Sequence, residues 1–203
     1  MANAKRIGIL GGAFNPIHLG HLILAEQAKE QLGLEGVVFV PSCLPPHKKR
    51  KTLASAHDRY QMVELAVKDN PCFKVSDIEL KRDGVSYSID TVRQLRKRFS
   101  KARLYFIVGS DFLEQFSVWK NIKNLSRLCK FVIAERPKYS VKKLPESMQS
   151  IRMRPLEISS TDIRRRIRNK KSIRYLVPEK VRKYILKRKL YCVRMKKHSK
   201  GGV

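Results

Sequence analysis

The 203 residues are enough for one domain with a sizeable core and too few for two ordinary ones. Hydrophobic residues make up 42% of the chain, yet no apolar run reaches the roughly 18 residues a membrane-spanning helix needs, so a membrane span is excluded. The formal net charge is +28, from 45 Lys/Arg against 17 Asp/Glu. Such a charge favours polyanions (nucleotides, nucleic acid, anionic membrane) without choosing among them.

The opening MANAKRIGIL has little charge and a short apolar run cut off by a Gly-Gly pair, so a signal peptide is not expected there. Cys43, Cys72, Cys129 and Cys192 stand far apart, with no C-x-x-C pair and no zinc spacing. They read as reduced thiols, and a cytoplasmic location is the expectation.

Ile7 to Leu10 is a short apolar run that stops at Gly11-Gly12, the pattern of a buried strand. From Leu19 to Leu32, the residues Leu22, Ala25, Ala28 and Leu32 recur near a period of 3.6 and predict a helix that Gly33 ends. Val37 to Val40 is a second buried strand, stopped by Pro41, and Pro45 to Lys51 is a basic loop. A helix is predicted over His57 to Lys68, a strand over Phe73 to Leu80 and a helix over Ser88 to Phe99. Strands follow at Leu104 to Val108, broken by Gly109-Ser110-Asp111, and at Phe131 to Ala134, closed by Arg136-Pro137. Ser160-Thr161 should cap a helix running to about Arg168, and Pro178 should start another that ends near Lys189.

Strands alternating with helices predict an α/β domain: an open, mainly parallel, Rossmann-like sheet with helices on both faces. The domain is expected over residues 1–194, and the basic, Gly-rich tail over 195–203 is expected to be disordered. From Thr161 to Val203, 17 Lys/Arg stand against 2 Asp/Glu. That charge follows helical faces instead of gathering in a motif, so it reads first as a solvated surface.

The chemistry concentrates in Gly11-Gly12-Ala13-Phe14-Asn15-Pro16-Ile17-His18-Leu19-Gly20-His21. A strand ends, two glycines let backbone approach a phosphate, and a helix N-terminus that favours negative charge follows. In an open α/β sheet this is the edge where ligands bind. His18 and His21 are three residues apart at the helix start, so both can face one ligand. The helix N-terminus disfavours imidazolium there, and a neutral imidazole can still donate one N–H to a phosphate oxygen. Either histidine alone would read as a surface or capping residue; the combination reads as a site. A second motif, Ile158-Ser159-Ser160-Thr161-Asp162-Ile163-Arg164, joins hydroxyls at a helix N-terminus to a cation one turn in. Ordinary capping accounts for Ser160-Thr161 but does not require Arg164.

The first motif resembles the H-x-G-H signature of the nucleotidyltransferase superfamily, and the second resembles its I-S-S-T-x-I-R sequence. Between them stand Pro45-Pro46-His47-Lys48, His57-Asp58-Arg59, Ser86 to Thr91, Gly109-Ser110-Asp111 and Trp119, with Tyr175 to Pro178 after. That order is similar to bacterial nicotinate-nucleotide adenylyltransferases over about residues 5 to 191. The resemblance implies that nicotinate mononucleotide and ATP, with Mg²⁺, give deamido-NAD and pyrophosphate by direct in-line displacement, with no covalent enzyme intermediate.

It further implies that His18 and His21 act on the ATP phosphates, His21 nearest the α-phosphate. Gly11, Gly12 and Phe14 would lend backbone to the nucleotides, and Gly109 and Asp111 would line the adenosine side. Ser160 and Arg164 would hold the triphosphate, and Lys48 would reach a phosphate. Tyr87, Thr91 and Trp119 would border the nicotinate ring. No metal-ligating residues and no membrane or specific nucleic-acid partner are implied, and a homo-oligomer stays open. Trp119 has an equal claim to be a packing aromatic, while Tyr87 and Thr91 have a somewhat weaker one to be helix-entry residues. The sequence departs from the usual glycine loop at Ala13 and Asn15, where Thr and Asp are common; Asn15 keeps an acceptor and loses a charge. Ser88 stands where Thr is common. A phosphopantetheine adenylyltransferase is the nearest alternative, although such chains are shorter and lack the Tyr87-to-Trp119 constellation. A basic nucleic-acid-binding protein is the alternative of another class, but no recognised nucleic-acid-binding motif supports it.

Overall fold

A computed structural model of the protein describes residues 4–44, 53–82, 84–109, 119, 121–135, 144, 148–153 and 156–192. The strands are β1 (Arg6–Gly12), β2 (Gly36–Pro41), β3 (Phe73–Val75), β4 (Arg103–Gly109), β5 (Lys130–Glu135) and β6 (Met148–Arg152). The helices are α1 (Leu19–Leu32), α2 (Ala56–Val67), α3 (Ser88–Arg98), α4 (Ile122–Leu128), α5 (Ser160–Arg168) and α6 (Glu179–Lys187). The sheet order is β3-β2-β1-β4-β5-β6, and every pairing is parallel. Order reverses between β1 and β4, so the connections diverge there and leave a crevice beyond the strands' carboxyl ends.

Successive residues of each central strand point to opposite faces, and both faces are covered. Leu10, Phe39, Ile107 and Val132 enter a core with α1, α2, α5 and α6. Their neighbours Ile9, Val38, Phe106 and Ile133 enter a second core with α3 and α4. That two-sided burial is why the central strands read as unbroken apolar runs.

Helix α1 buries Leu24, Ala25, Ala28 and Leu32, while Lys29 pairs with Glu26 at 3.1 Å on its outer side. Gly33 ends the helix in the left-handed region at φ 58, where a side chain would be strained. Helix α6 is fastened to α2 through Asp58, which accepts from Ser55 Oγ at 2.6 Å, Tyr184 Oη at 2.8 Å and Arg188 Nε at 3.3 Å. Burial pushes this carboxyl up, but the hydrogen bonds from Ser55 and Tyr184 and the Arg188 charge outweigh it and hold Asp58 below the usual carboxylate range.

The structure corrects the sequence reading at several points. The strand expected over Phe73 to Leu80 stops at Val75, where Ser76 N–H donates to Phe39 O at 2.9 Å. Asp77 O then closes turns with Leu80 and Lys81. The sheet also gains β6, and α4 precedes β5; neither was expected. The cap of α5 is Ser159, whose Oγ accepts from Asp162 N–H at 3.1 Å, and Ser160 is already helical. The tail over 195–203 lies outside the described residues.

Candidate active site

Strand β1 ends at Gly11-Gly12, and its neighbour β4 ends at Gly109 with open space where a Cβ would stand. Phe14 turns the chain with φ 44, and His18 is the N-cap of α1. The first helical N–H, on Leu19, donates to Leu176 O at 3.0 Å, which anchors the helix start to the segment between α5 and α6.

His18 and His21 form a stacked pair, ring centroids 3.7 Å apart at 29°. The backbone N–H of His18 donates to His21 Nδ1 at 3.2 Å. Nδ1 is therefore an acceptor, which makes Nε2 the donor nitrogen of the ring in its neutral form. Phe14 packs edge-on against His21 at 5.1 Å. The residue between the histidines is constrained as well. A Cβ on Gly20 would stand 3.1 Å from His18 Nδ1 and 3.2 Å from Cε1, so the ring occupies a side chain's space.

Helix α5 brings the second motif to this loop. Arg164 donates from Nη1 to Asn15 O at 2.8 Å and from Nη2 to Thr161 Oγ1 at 3.2 Å, and Ser160 Oγ donates to Pro16 O at 2.8 Å. Arg164 Nε is buried with no hydrogen-bond partner, and Arg164 forms no ion pair with a described carboxylate. A partly buried guanidinium held by neutral oxygens keeps its charge uncompensated and suits an anionic ligand.

A fully buried arginine supports the loop from the other side. Arg59, 1% exposed, donates to Ala13 O at 2.9 Å, Ser42 O at 2.6 Å, Cys43 O at 2.9 Å and Ala54 O at 3.1 Å. Burial lowers its pKa, but an arginine stays charged throughout the working range. Four carbonyls spread over three segments share one cation, which fixes the carboxyl ends of β1 and β2. Asn15 adds a further tie: its Oδ1 accepts from Ala54 N–H at 3.0 Å and Tyr191 Oη at 2.9 Å. The retained acceptor at this position is thus used structurally.

On the opposite face of the sheet, Trp119 meets Phe106 of β4 edge-on, with centroids 6.0 Å apart at 82°. The same Phe106 ring lies 3.5 Å from where a Gly11 Cβ would be. Tyr87, the N-cap of α3, packs against the same core as Trp119. Thr91 sits one turn into α3 and is buried. Its hydroxyl donates to Glu79 Oε1 at 2.5 Å and accepts from Arg82 Nη2 at 2.5 Å, so it braces α3 from beneath. The structure therefore brings His18, His21, Ser160 and Arg164 together on one side of the switch point. Tyr87 and Trp119 gather on the other side, and Gly11, Gly12 and Gly109 lie along the edge between. Lys48 and Asp111 lie outside the described residues. Arg59 stands in the His57-Asp58-Arg59 stretch and Tyr191 at the end of the resemblance, but the sequence assigns neither a role; residue type and local spacing carry no signal of a partner far away in the chain.

Comparison with known proteins points the same way. Residues 9–166 match the family model described as cytidylyltransferase-like. The chain is 44% identical to a probable nicotinate-nucleotide adenylyltransferase of Moorella thermoacetica, over 94% of this chain and 93% of that protein. It is 38% identical to the nicotinate-nucleotide adenylyltransferase of Bacillus subtilis, over 92% and 98%. In structure it resembles Plasmodium falciparum nicotinic acid mononucleotide adenylyltransferase complexed with NaAD, with TM-score 0.75 and 21% identity over 92% of this chain and 97% of that one. At that identity the likeness speaks for the fold.

Proposed function

Because the chain belongs to the cytidylyltransferase-like family and, within it, to the nicotinate-nucleotide adenylyltransferases, we propose that it joins nicotinate mononucleotide to the AMP part of ATP, forming deamido-NAD and releasing pyrophosphate in NAD biosynthesis. The observation that carries the reading is the stacked His18–His21 pair at the start of α1, in the same loop that Arg164 and Ser160 grip from α5.

The chemistry follows from the substrates' charges. The attacking group is a phosphate monoester, largely dianionic at neutral pH because its second pKa is about 6. It needs no general base. A phosphate oxygen attacks the ATP α-phosphorus in line, and the bond to the β-phosphate bridging oxygen breaks. What the protein must supply is alignment and donors for the equatorial oxygens. His21 offers its Nε2–H to the α-phosphate, His18 flanks it, and the glycine loop and α1 N-terminus add backbone donors. Arg164 and Ser160 take the β- and γ-phosphates, which leave together.

The groups gathered here are N–H and O–H donors and a guanidinium, a set that suits phosphate oxygens. Mg²⁺ would come with ATP as part of the nucleotide substrate and would offset the charge on its phosphates. Tyr87 and Trp119 border the nicotinate ring, and Gly109 lies toward the adenosine. The test is pyrophosphate release from ATP with nicotinate mononucleotide or 4′-phosphopantetheine as acceptor. Turnover with the mononucleotide alone is expected. Turnover with phosphopantetheine alone would replace this reading, and turnover with neither would end it.

A further inference from the structure

The segment after α6 is built into the glycine loop although it lies far from it in sequence. Lys189 N–H closes on Leu186 O at 3.1 Å and Leu190 N–H on Ile185 O at 3.0 Å, with Lys189 at φ 49 and Tyr191 at φ 65. A left-handed backbone at a bulky aromatic is costly and persists only where surrounding contacts hold it. The contact that this turn makes possible is from Tyr191 Oη to Asn15 Oδ1, 2.9 Å long.

Asn15 is in turn the pivot of the loop. Its Oδ1 also holds Ala54 N–H at 3.0 Å, its carbonyl receives Arg164 at 2.8 Å, and the next carbonyl, of Pro16, receives Ser160 at 2.8 Å. Two residues beyond Pro16 the chain reaches His18. Tyr191 also lies near the Arg59 and Arg164 charges, and burial raises its pKa, so it remains a donor at working pH.

We propose that Tyr191 is a positioning residue for the nucleotidyl transfer: acting through Asn15, its hydroxyl sets the loop that aligns Arg164 with the His18–His21 pair. The hydroxyl is assigned no contact with substrate; its partner is Asn15 Oδ1. A displacement near 1 Å in such an alignment can cost up to about 10² in rate, and loss of one of several ties should shift the loop by less.

This inference rests on the adenylyltransferase reading, and wild-type turnover tests that reading separately. Tyr191→Phe keeps the ring and removes the oxygen. It is expected to lower kcat about tenfold, with KM for nicotinate mononucleotide changed less than twofold. In the Asn15→Ala background the same substitution should have no further effect on kcat. Hydrogen exchange at residues 13–18, which needs no substrate, should quicken in Tyr191→Phe. Because Asn15→Ala also removes the Ala54 tie, two truncations serve as a second series: a chain ending at Cys192 should keep full kcat, and one ending at Leu190 should lose at least as much as Tyr191→Phe. Wild-type kcat and unchanged exchange in Tyr191→Phe would overturn the proposal. So would an equal fold-loss with and without Asn15, or full kcat in the chain ending at Leu190.

Discussion

Arg164 Nη1 donates to the carbonyl of Asn15 at 2.8 Å across 149 residues of sequence. The two motifs that stand out at opposite ends of the chain are thus one bonded unit: Arg164 shapes the loop, and its Nε stays buried without a hydrogen-bond partner.

Arg164→Ala should therefore raise KM for ATP roughly 10- to 100-fold, the size of a charge-assisted hydrogen bond of about 1.5–3 kcal/mol. KM for nicotinate mononucleotide should stay near wild type. Arg164→Lys should not restore ATP affinity, because an ammonium cannot reach Asn15 O, Thr161 Oγ1 and a phosphate from one plane. Steady-state kinetics with each substrate varied would check this; a rise confined to the mononucleotide would place Arg164 on the other substrate.

Gly20→Ala separates stability from catalysis. In a helix, alanine is favoured over glycine by about 1 kcal/mol. Here the added Cβ meets the His18 ring at 3.1 Å, and the ring must give way. The expected result is an unchanged or higher Tm with kcat at least about tenfold lower, since the stacked pair is disturbed. Thermal denaturation and kcat on the same preparation decide it. Wild-type kcat would mean that the His18 geometry is immaterial.

The acid substrate should be preferred to its amide. A carboxylate gains from a strongly positive protein and from N–H donors, whereas the amide's own NH₂ leaves such donors unpaired. Trp119→Ala should cost the mononucleotide about 1–3 kcal/mol, a lost stacking contact, although part of any loss belongs to its packing on Phe106. The measurement is kcat/KM for nicotinate and nicotinamide mononucleotides in both proteins. Equal wild-type values would remove the acid preference, and an unchanged variant would remove Trp119 from the pocket.

Deleting Met195 to Val203 should leave kcat and both KM values intact, because the segment carries no motif. Only salt-sensitive attraction to polyanions should weaken. Lost turnover would show that the tail reaches the site.

How much was legible in the sequence depends on where the information is stored. Strands β1, β2, β4 and β5 are covered on both faces and show as apolar runs, and α1 shows as a clean 3.6 period. Strand β6 buries only Met148 and Ile151 among polar neighbours, and α4 has a single fully buried residue, Leu125, so neither leaves a pattern long enough to read. In the candidate site, the histidines and glycines share one local motif and so stand out in the sequence. The Ser160 bond to Pro16, the fourfold grip of Arg59 and the Tyr191–Asn15 contact are made between distant segments, and spacing along the chain cannot encode them. The cap of α5 was displaced by one residue because Ser159, Ser160 and Thr161 are all competent caps; a tertiary bond, Ser160 to Pro16, decides among them.

The most direct test of the central claim is product formation by the wild type and His21→Ala, each incubated with ATP and nicotinate mononucleotide. The wild type should yield deamido-NAD and pyrophosphate one for one. His21→Ala, folded and with little change in KM for ATP, should be slower by about 10² to 10³, the usual cost of one oxyanion-type donor. No dinucleotide from the wild type, or equal kcat in the two proteins, would contradict the account.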